Sequence, residues 1–231
     1  MGALPTSGAI FGDRLIDMKP KIAIFIHNPV AERACVLGMI SALDSKYKIT
    51  VFTKNECKSS TFKNMHIVAF PGGKGDADGF YKIFKNTRGA VIDYVDNGGR
   101  YLGICMGAYW ADRHYFNILH NIDSVQYIKR PNSEIKRSFP TISTIRWKRK
   151  EHDMFFYDGP TFISKRKQNF NTIARYSNGD PMAIFQKRIG LIGCHPESKR
   201  SWYDPAYLRT HWHNYEHHKL LLSFVDELRD R

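Results

Sequence analysis

Cysteine is scarce in this chain. Its 231 residues hold four, at positions 35, 57, 105 and 194, with neither the density nor the paired spacing of a disulfide framework or a cysteine-based zinc module. Free thiols in a reducing compartment are the expectation. Long apolar runs are missing too. No window reaches the roughly 18–20 apolar residues of a membrane span, and residues 1–19 lack the basic stretch and apolar core of a secretory signal. A cytoplasmic protein without a membrane partner follows. Acidic residues are in deficit, 22 Asp and Glu against 35 Lys and Arg, for a formal charge of +13; the surplus favours anionic partners or substrates without choosing among them. Internal repeats are absent, and so is any linker that would split the chain beyond its start. What is present is an ordinary globular composition, 42% hydrophobic and 25% charged, enough for one substantial core. Residues 1–19 read as a flexible leader and residues 20–231 as a single domain.

Within that domain the hydrophobic pattern switches between two periods. Residues 21–27 are almost continuously apolar, as a parallel strand covered on both faces requires, and Asn28-Pro29 ends the run. Val36, Leu37, Ile40 and Leu43 predict a helix over residues 31–43, with strands at 47–52 and 65–70. A helix over 79–96 has Phe84, Val91 and Val95 on one side and stops at Gly98-Gly99; residues 100–104 form a fourth strand. From about 123 to 187 the pattern changes to aromatic and β-branched runs at 138–147, 154–157, 172–176 and 182–186. Turn signals such as Asp158-Gly159-Pro160 and Asn178-Gly179-Asp180 separate them, so antiparallel hairpins are expected. A last strand covers 189–194. Asp204-Pro205 then reads as the N-cap and first turn of a terminal helix with a stripe of Leu208, Trp212, Tyr215, Leu222 and Val225. The alternation predicts an α/β fold: a doubly wound, mostly parallel sheet with helices on both faces and a hairpin insertion in the second half.

The segment richest in chemistry is residues 100–111, RYLGICMGAYWA. An apolar strand runs through Gly103 into Cys105 and a helix starts immediately. A nucleophile at such a tight strand-to-helix elbow needs very small residues two before and two after it, and Gly103 and Gly107 supply them. A thiol nucleophile needs a base, and the base an orienting acceptor. His195-Pro196-Glu197, at the end of another strand, offers both. Pro71-Gly72-Gly73 closes the third strand, where Gly72 lets the backbone approach a bound acyl group. The amides of Gly73 and Met106 are candidates for an oxyanion hole.

The set Pro71-Gly72-Gly73, Gly103-Ile-Cys105-Met-Gly107 and His195-Pro-Glu197 resembles the class I glutamine amidotransferase superfamily, in which a flavodoxin-like sheet carries a Cys-His-Glu triad in this chain order. Within it, residues 70–74, 97–111, 158–162 and 174–176 are similar to the N-terminal, amidotransferase-like domain of eukaryotic biotin–protein ligases, which also occurs as a free-standing protein. The resemblance implies a cysteine-dependent hydrolase or amidotransferase acting on a small-molecule or amide substrate. Cys105, His195 and Glu197 would be catalytic and no cofactor would be required. Tyr109 stands where glutamine-hydrolysing members usually carry a substrate-holding Gln, which implies a substrate other than glutamine. No synthetase, ligase or ammonia-acceptor segment is recognisable, so transfer to an acceptor would need a separate synthetase or ligase partner. The alternative implied by the same family is a non-catalytic binding or regulatory module.

Two other features have plainer explanations. Eight basic residues between 129 and 150, with Phe139 and Trp147 among them, admit a nucleic-acid partner; a solvated hairpin face is preferred, because no nucleic-acid motif accompanies the charge. His211, His213, His217 and His218 invite a metal reading, but only 213 and 217 have i, i+4 spacing. Packing is preferred and no metal is expected there.

Overall fold

The structure, a computed structural model, describes residues 19–28, 31–73, 77–166 and 169–231. The expected leader lies outside these except for Lys19. Among them, the first half alternates as expected: β1 (Lys21–Phe25), α1 (Arg33–Leu43), β2 (Lys48–Phe52), α2 (Ser59–Phe62), β3 (Ile67–Phe70), α3 (Ala77–Phe84), α4 (Arg88–Asp96), β4 (Arg100–Ile104) and α5 (Met106–Trp110). The second half is strand-rich: β5 (Ile122–Gln126), β6 (Thr141–Trp147), β7 (Lys150–Phe156), β8 (Pro160–Ser164), β9 (Asn171–Tyr176), β10 (Pro181–Gln186) and β11 (Ile189–Ile192), followed by α6 (Glu216–Arg229).

Nine strands form one mixed sheet in the order β2-β1-β3-β4-β11-β10-β9-β6-β7, and β5 pairs with β8 in a separate ribbon. From β2 to β11 the pairs are parallel; from β11 to β7 they are antiparallel. The inner parallel strands β1, β3, β4 and β11 are buried on both sides, whereas the edge strand β2 is largely exposed. Ile22 and Ile24 of β1 join a core with Val36 and Met39 of α1 and Leu221, Phe224 and Val225 of α6. Ala23 and Phe25, facing the other way, pack with Phe80 and Phe84 of α3 and Trp110 of α5. The period of two along one strand thus feeds two separate cores.

Three local expectations are corrected. The helix over 79–96 is two helices, α3 and α4, interrupted at residues 85–87, where Asn86 and Thr87 are weak helix formers. Trp147, offered as a stacking platform, is buried and packs edge-on against Phe224 at 5.9 Å. Asp204-Pro205 does not open a helix. Tyr203 and Leu208 pack against Phe155 instead, holding the segment in turns, and α6 starts only after Tyr215, a half-exposed residue with left-handed backbone. Of the expected stripe, Val225 is buried in α6, where Leu221, Phe224 and Leu228 join it, and Leu208 is buried ahead of the helix. Since Asp204 caps nothing and its ion pair with Arg200 is exposed at 3.5 Å, Asp204→Ala should change the urea unfolding free energy by less than about 0.5 kcal/mol. A helix-capping role would cost about 1 kcal/mol.

Candidate active site

Strand pairing brings the three distant motifs to one edge. β4 lies between β3 and β11, with Ile104 opposite Ile192 and Gly103 opposite Phe70, so residues following each strand emerge side by side. Cys105 is tied to this edge by its own N–H, which donates to Ile192 O at 2.8 Å. Its backbone is strained, with φ 49° and ψ −104°, a region few non-glycine residues enter. The flanking glycines make that turn feasible. A methyl on Gly103 would meet Gly107 O at 2.5 Å, and one on Gly107 would collide with the Phe70 carbonyl. Gly107 N–H in turn donates to Pro71 O at 3.2 Å, anchoring α5 to the loop after β3.

His195 and Glu197 are almost fully buried, at 3% and 0% exposure, with His195 Nδ1 2.8 Å from Glu197 Oε1. The second carboxylate oxygen, Oε2, is buried without a hydrogen-bond partner among the described residues. Gly72 lies against the imidazole, where a Cβ would sit 3.2 Å from Nδ1 and closer still to Cε1. The ring is within hydrogen-bonding reach of the Cys105 sulfur and also of Cys35. Burial disfavours a proton on His195, but the charges of Cys105 and Glu197 and the hydrogen bonds to both sulfurs outweigh it. Its pKa is held well above the ordinary 6.5.

Cys105 is itself 4% exposed, and its Sγ donates to the carbonyl of Tyr157 at 3.4 Å. Beside it opens a cleft of about 450 Å³ whose lining includes Cys35, Gly73, Phe155, Tyr157, His195 and Trp202. Gly73 therefore faces the cleft. Met106 begins α5, and neither its N–H nor that of Gly73 donates a hydrogen bond to the described residues. Tyr109 is close enough to Cys105 for their charges to interact, but its hydroxyl is committed to Asp158 O at 3.1 Å. A larger cavity of about 530 Å³ lies at the opposite end of β4, around Arg100. Its imidazole, His66, already accepts the Lys21 N–H at 3.1 Å.

Two contributors were not identified from sequence: Cys35, read there only as one of four free thiols, and Tyr157, which contributes a backbone carbonyl. A third is the support behind Glu197. Ser198 Oγ bonds Tyr203 Oη at 2.9 Å and His213 Nε2 at 3.2 Å, and Ser198 O lies 3.0 Å from His218 Nε2. The C-terminal histidines thus brace the loop that carries His195 and Glu197. His213 and His217 stack at 3.9 Å, whereas His211 turns away to Asp153.

The fold that carries this arrangement has counterparts among solved structures. A glutamine amidotransferase from Thermotoga maritima superposes with a TM-score of 0.66 at 11% identity, over 92% of this chain and 99% of that one. A glutamine amido transferase from Methylobacillus flagellatus gives 0.59 at 12% identity, over 92% and 93%. The fold also matches part of a β-galactosidase from the psychrophilic Marinomonas ef1, with a TM-score of 0.55 at 10% identity over 92% of this chain and 29% of that one. No curated protein sequence matches the chain. The fold is the one these glutamine amidotransferase structures share. Residues 28–122 match the family model described as biotin-protein ligase, N terminal.

The histidine brace gives the site a pH limit. Burial, followed by the charge of His218, lowers the His213 pKa to about 4. Burial lowers those of His217 and His152 as well, with Lys150 adding to the effect on His152. The folded form resists protons that the unfolded chain accepts near the ordinary 6.5, so their contribution is full above that pH and declines as pH falls toward 4. Urea midpoints should drop across this window, and less steeply in His213→Gln; identical slopes would contradict the brace.

Proposed function

We propose that the chain is a cysteine-dependent amide hydrolase, or the hydrolysing half of an amidotransferase. Cys105 is the nucleophile, His195 the proton carrier and Glu197 the group that orients it. The observation carrying this reading is the buried Nδ1–Oε1 pair of 2.8 Å with the sulfur of a strained elbow within hydrogen-bonding reach of the same ring. An imidazolium between carboxylate and sulfur is the partner a thiolate needs.

The Cys105 thiolate would attack the amide carbon, forming a C–S bond and an oxyanion for which the N–H groups of Gly73 and Met106 are the candidate donors. His195 would protonate the leaving nitrogen as the C–N bond breaks. It would then take a proton from water, whose oxygen displaces the thiolate and releases a carboxylic acid. The walls supplied by Phe155, Tyr157, Trp202, Pro140 and Pro205 suit an amide carrying an apolar or planar group better than the zwitterionic end of glutamine. Transfer of the released amine to an acceptor would require a separate synthetase or ligase partner.

A second reading has its own supporting observation. The Cys105 sulfur is nearly buried and bonded to the Tyr157 carbonyl, so attack needs that carbonyl to move aside; a binding or regulatory module has no such need. Alkylation with iodoacetamide at graded pH separates the two. Burial raises the other thiols, Cys35 and Cys57 to about 11 and Cys194 further. In the hydrolase, Cys105 should be alkylated at least about tenfold faster than these at pH 7, and His195→Gln should remove the advantage. Equal rates at all four would leave the binding module as the surviving reading.

A further inference from the structure

Cys35 plays no part in the proposed chemistry, yet it reaches the centre of the site. It lies in the first turn of α1 and is 3% exposed. Gly38, one helical turn later, is the reason it comes so close. A methyl there would collide with the backbone carbonyl of Glu197 and sit 3.1 Å from its Cγ, so the missing side chain lets α1 press onto the 195–197 loop. The Cys35 sulfur consequently comes within 4.8 Å of donor atoms of both His195 and Glu197 and lines the cleft beside the ring.

We propose that Cys35, His195 and Glu197 form a binding site for a thiophilic divalent metal ion of the Zn²⁺ type. One donor atom from each lies within 4.8 Å of the others. Thiolate, imidazole and carboxylate are a donor set that such an ion prefers to harder cations. Tetrahedral bonds of about 2.0 Å to nitrogen or oxygen and about 2.3 Å to sulfur separate ligands by roughly 3.5 Å, a spacing inside the limit within which the three donors lie. A separate observation also points to a cation: Glu197 Oε2 is buried with no donor among the described residues, a costly condition for a carboxylate oxygen and one that a metal relieves. The cleft provides access, and a water or Cys105 completes the coordination. As the bonds to the metal form, the Cys35 thiol proton and one proton of the His195 imidazolium pass to solvent. The ion takes the proposed base and its orienting group, so it acts as a reversible inhibitor. That consequence rests on the hydrolase reading; binding itself does not.

The test is titration of the full chain with Co²⁺, then Zn²⁺, without added thiols. One equivalent of Co²⁺ should produce a thiolate-to-metal charge-transfer absorption that Zn²⁺ abolishes. Cys105→Ala should retain the band. Cys35→Ser should lose it and bind on the order of 100-fold more weakly, with Glu197→Gln also weakened. Zn²⁺ should slow alkylation of Cys35 in the unaltered chain, a readout independent of how the variants fold, while leaving Cys57 and Cys194 unchanged. No thiolate band, a band that survives in Cys35→Ser, or binding at the C-terminal histidines alone would overturn the site. An intact band with unreactive Cys105 would reject the hydrolase and leave the metal site standing; reactive Cys105 without a band would do the reverse.

Discussion

The buried contact between His195 Nδ1 and Glu197 Oε1 is the interaction on which the site depends. An ionisable pair removed from water is tolerable only when geometry and neighbours compensate its desolvation, and here the compensation comes from several parts of the fold. Gly38 lets α1 approach the Glu197 backbone, Gly72 leaves room for the imidazole, and the β4–β11 pairing sets Cys105 beside the ring. From behind, Ser198, Tyr203, His213 and His218 hold the loop through hydrogen bonds. Nothing in this set is adjacent in sequence except the 195–198 segment. The site is therefore a property of the parallel sheet's carboxyl edge, where open α/β folds place their ligands.

That dependence accounts for what was legible in the chain beforehand. The parallel core was readable because strands buried on both faces must be apolar throughout, as in β1 and β4, and because Gly103 and Gly107 bracket a cysteine at a spacing that only a tight elbow requires. The hairpins were readable from alternation and turn residues, although β5 and β8 were not: Asp158-Gly159-Pro160 signalled a turn and concealed the strand starting at Pro160. Asp204-Pro205 misled because its local helix signal was weaker than the packing of Tyr203 and Leu208 against Phe155. Cys35 was hidden for a different reason. A cysteine in the apolar stripe of a helix has the same pattern whether it fills the core or faces a ligand, and only the approach of α1 distinguishes the two.

The fold by itself does not decide the chemistry. It is shared with glutamine amidotransferases and with part of a β-galactosidase, so function rests on specific groups rather than architecture. The relevant groups in this chain are a strained cysteine, a carboxylate-bound imidazole, and a cleft lined with the aromatic side chains of Phe155, Tyr157 and Trp202. Tyr109 uses its hydroxyl to bind the Asp158 carbonyl, joining α5 to the loop that supplies the Tyr157 carbonyl. The same residues that shape the cleft thus control access to the Cys105 sulfur.

The central claim is that Cys105 and Glu197 together keep His195 protonated. Nuclear magnetic resonance of the imidazole side-chain nitrogens, followed against pH in the full chain and in Cys105→Ala, measures this directly. The account predicts a His195 ring that remains doubly protonated well above the ordinary 6.5 and loses much of that elevation when the sulfur is removed. A ring that titrates at or below its ordinary value, or one indifferent to the loss of Cys105, would contradict it.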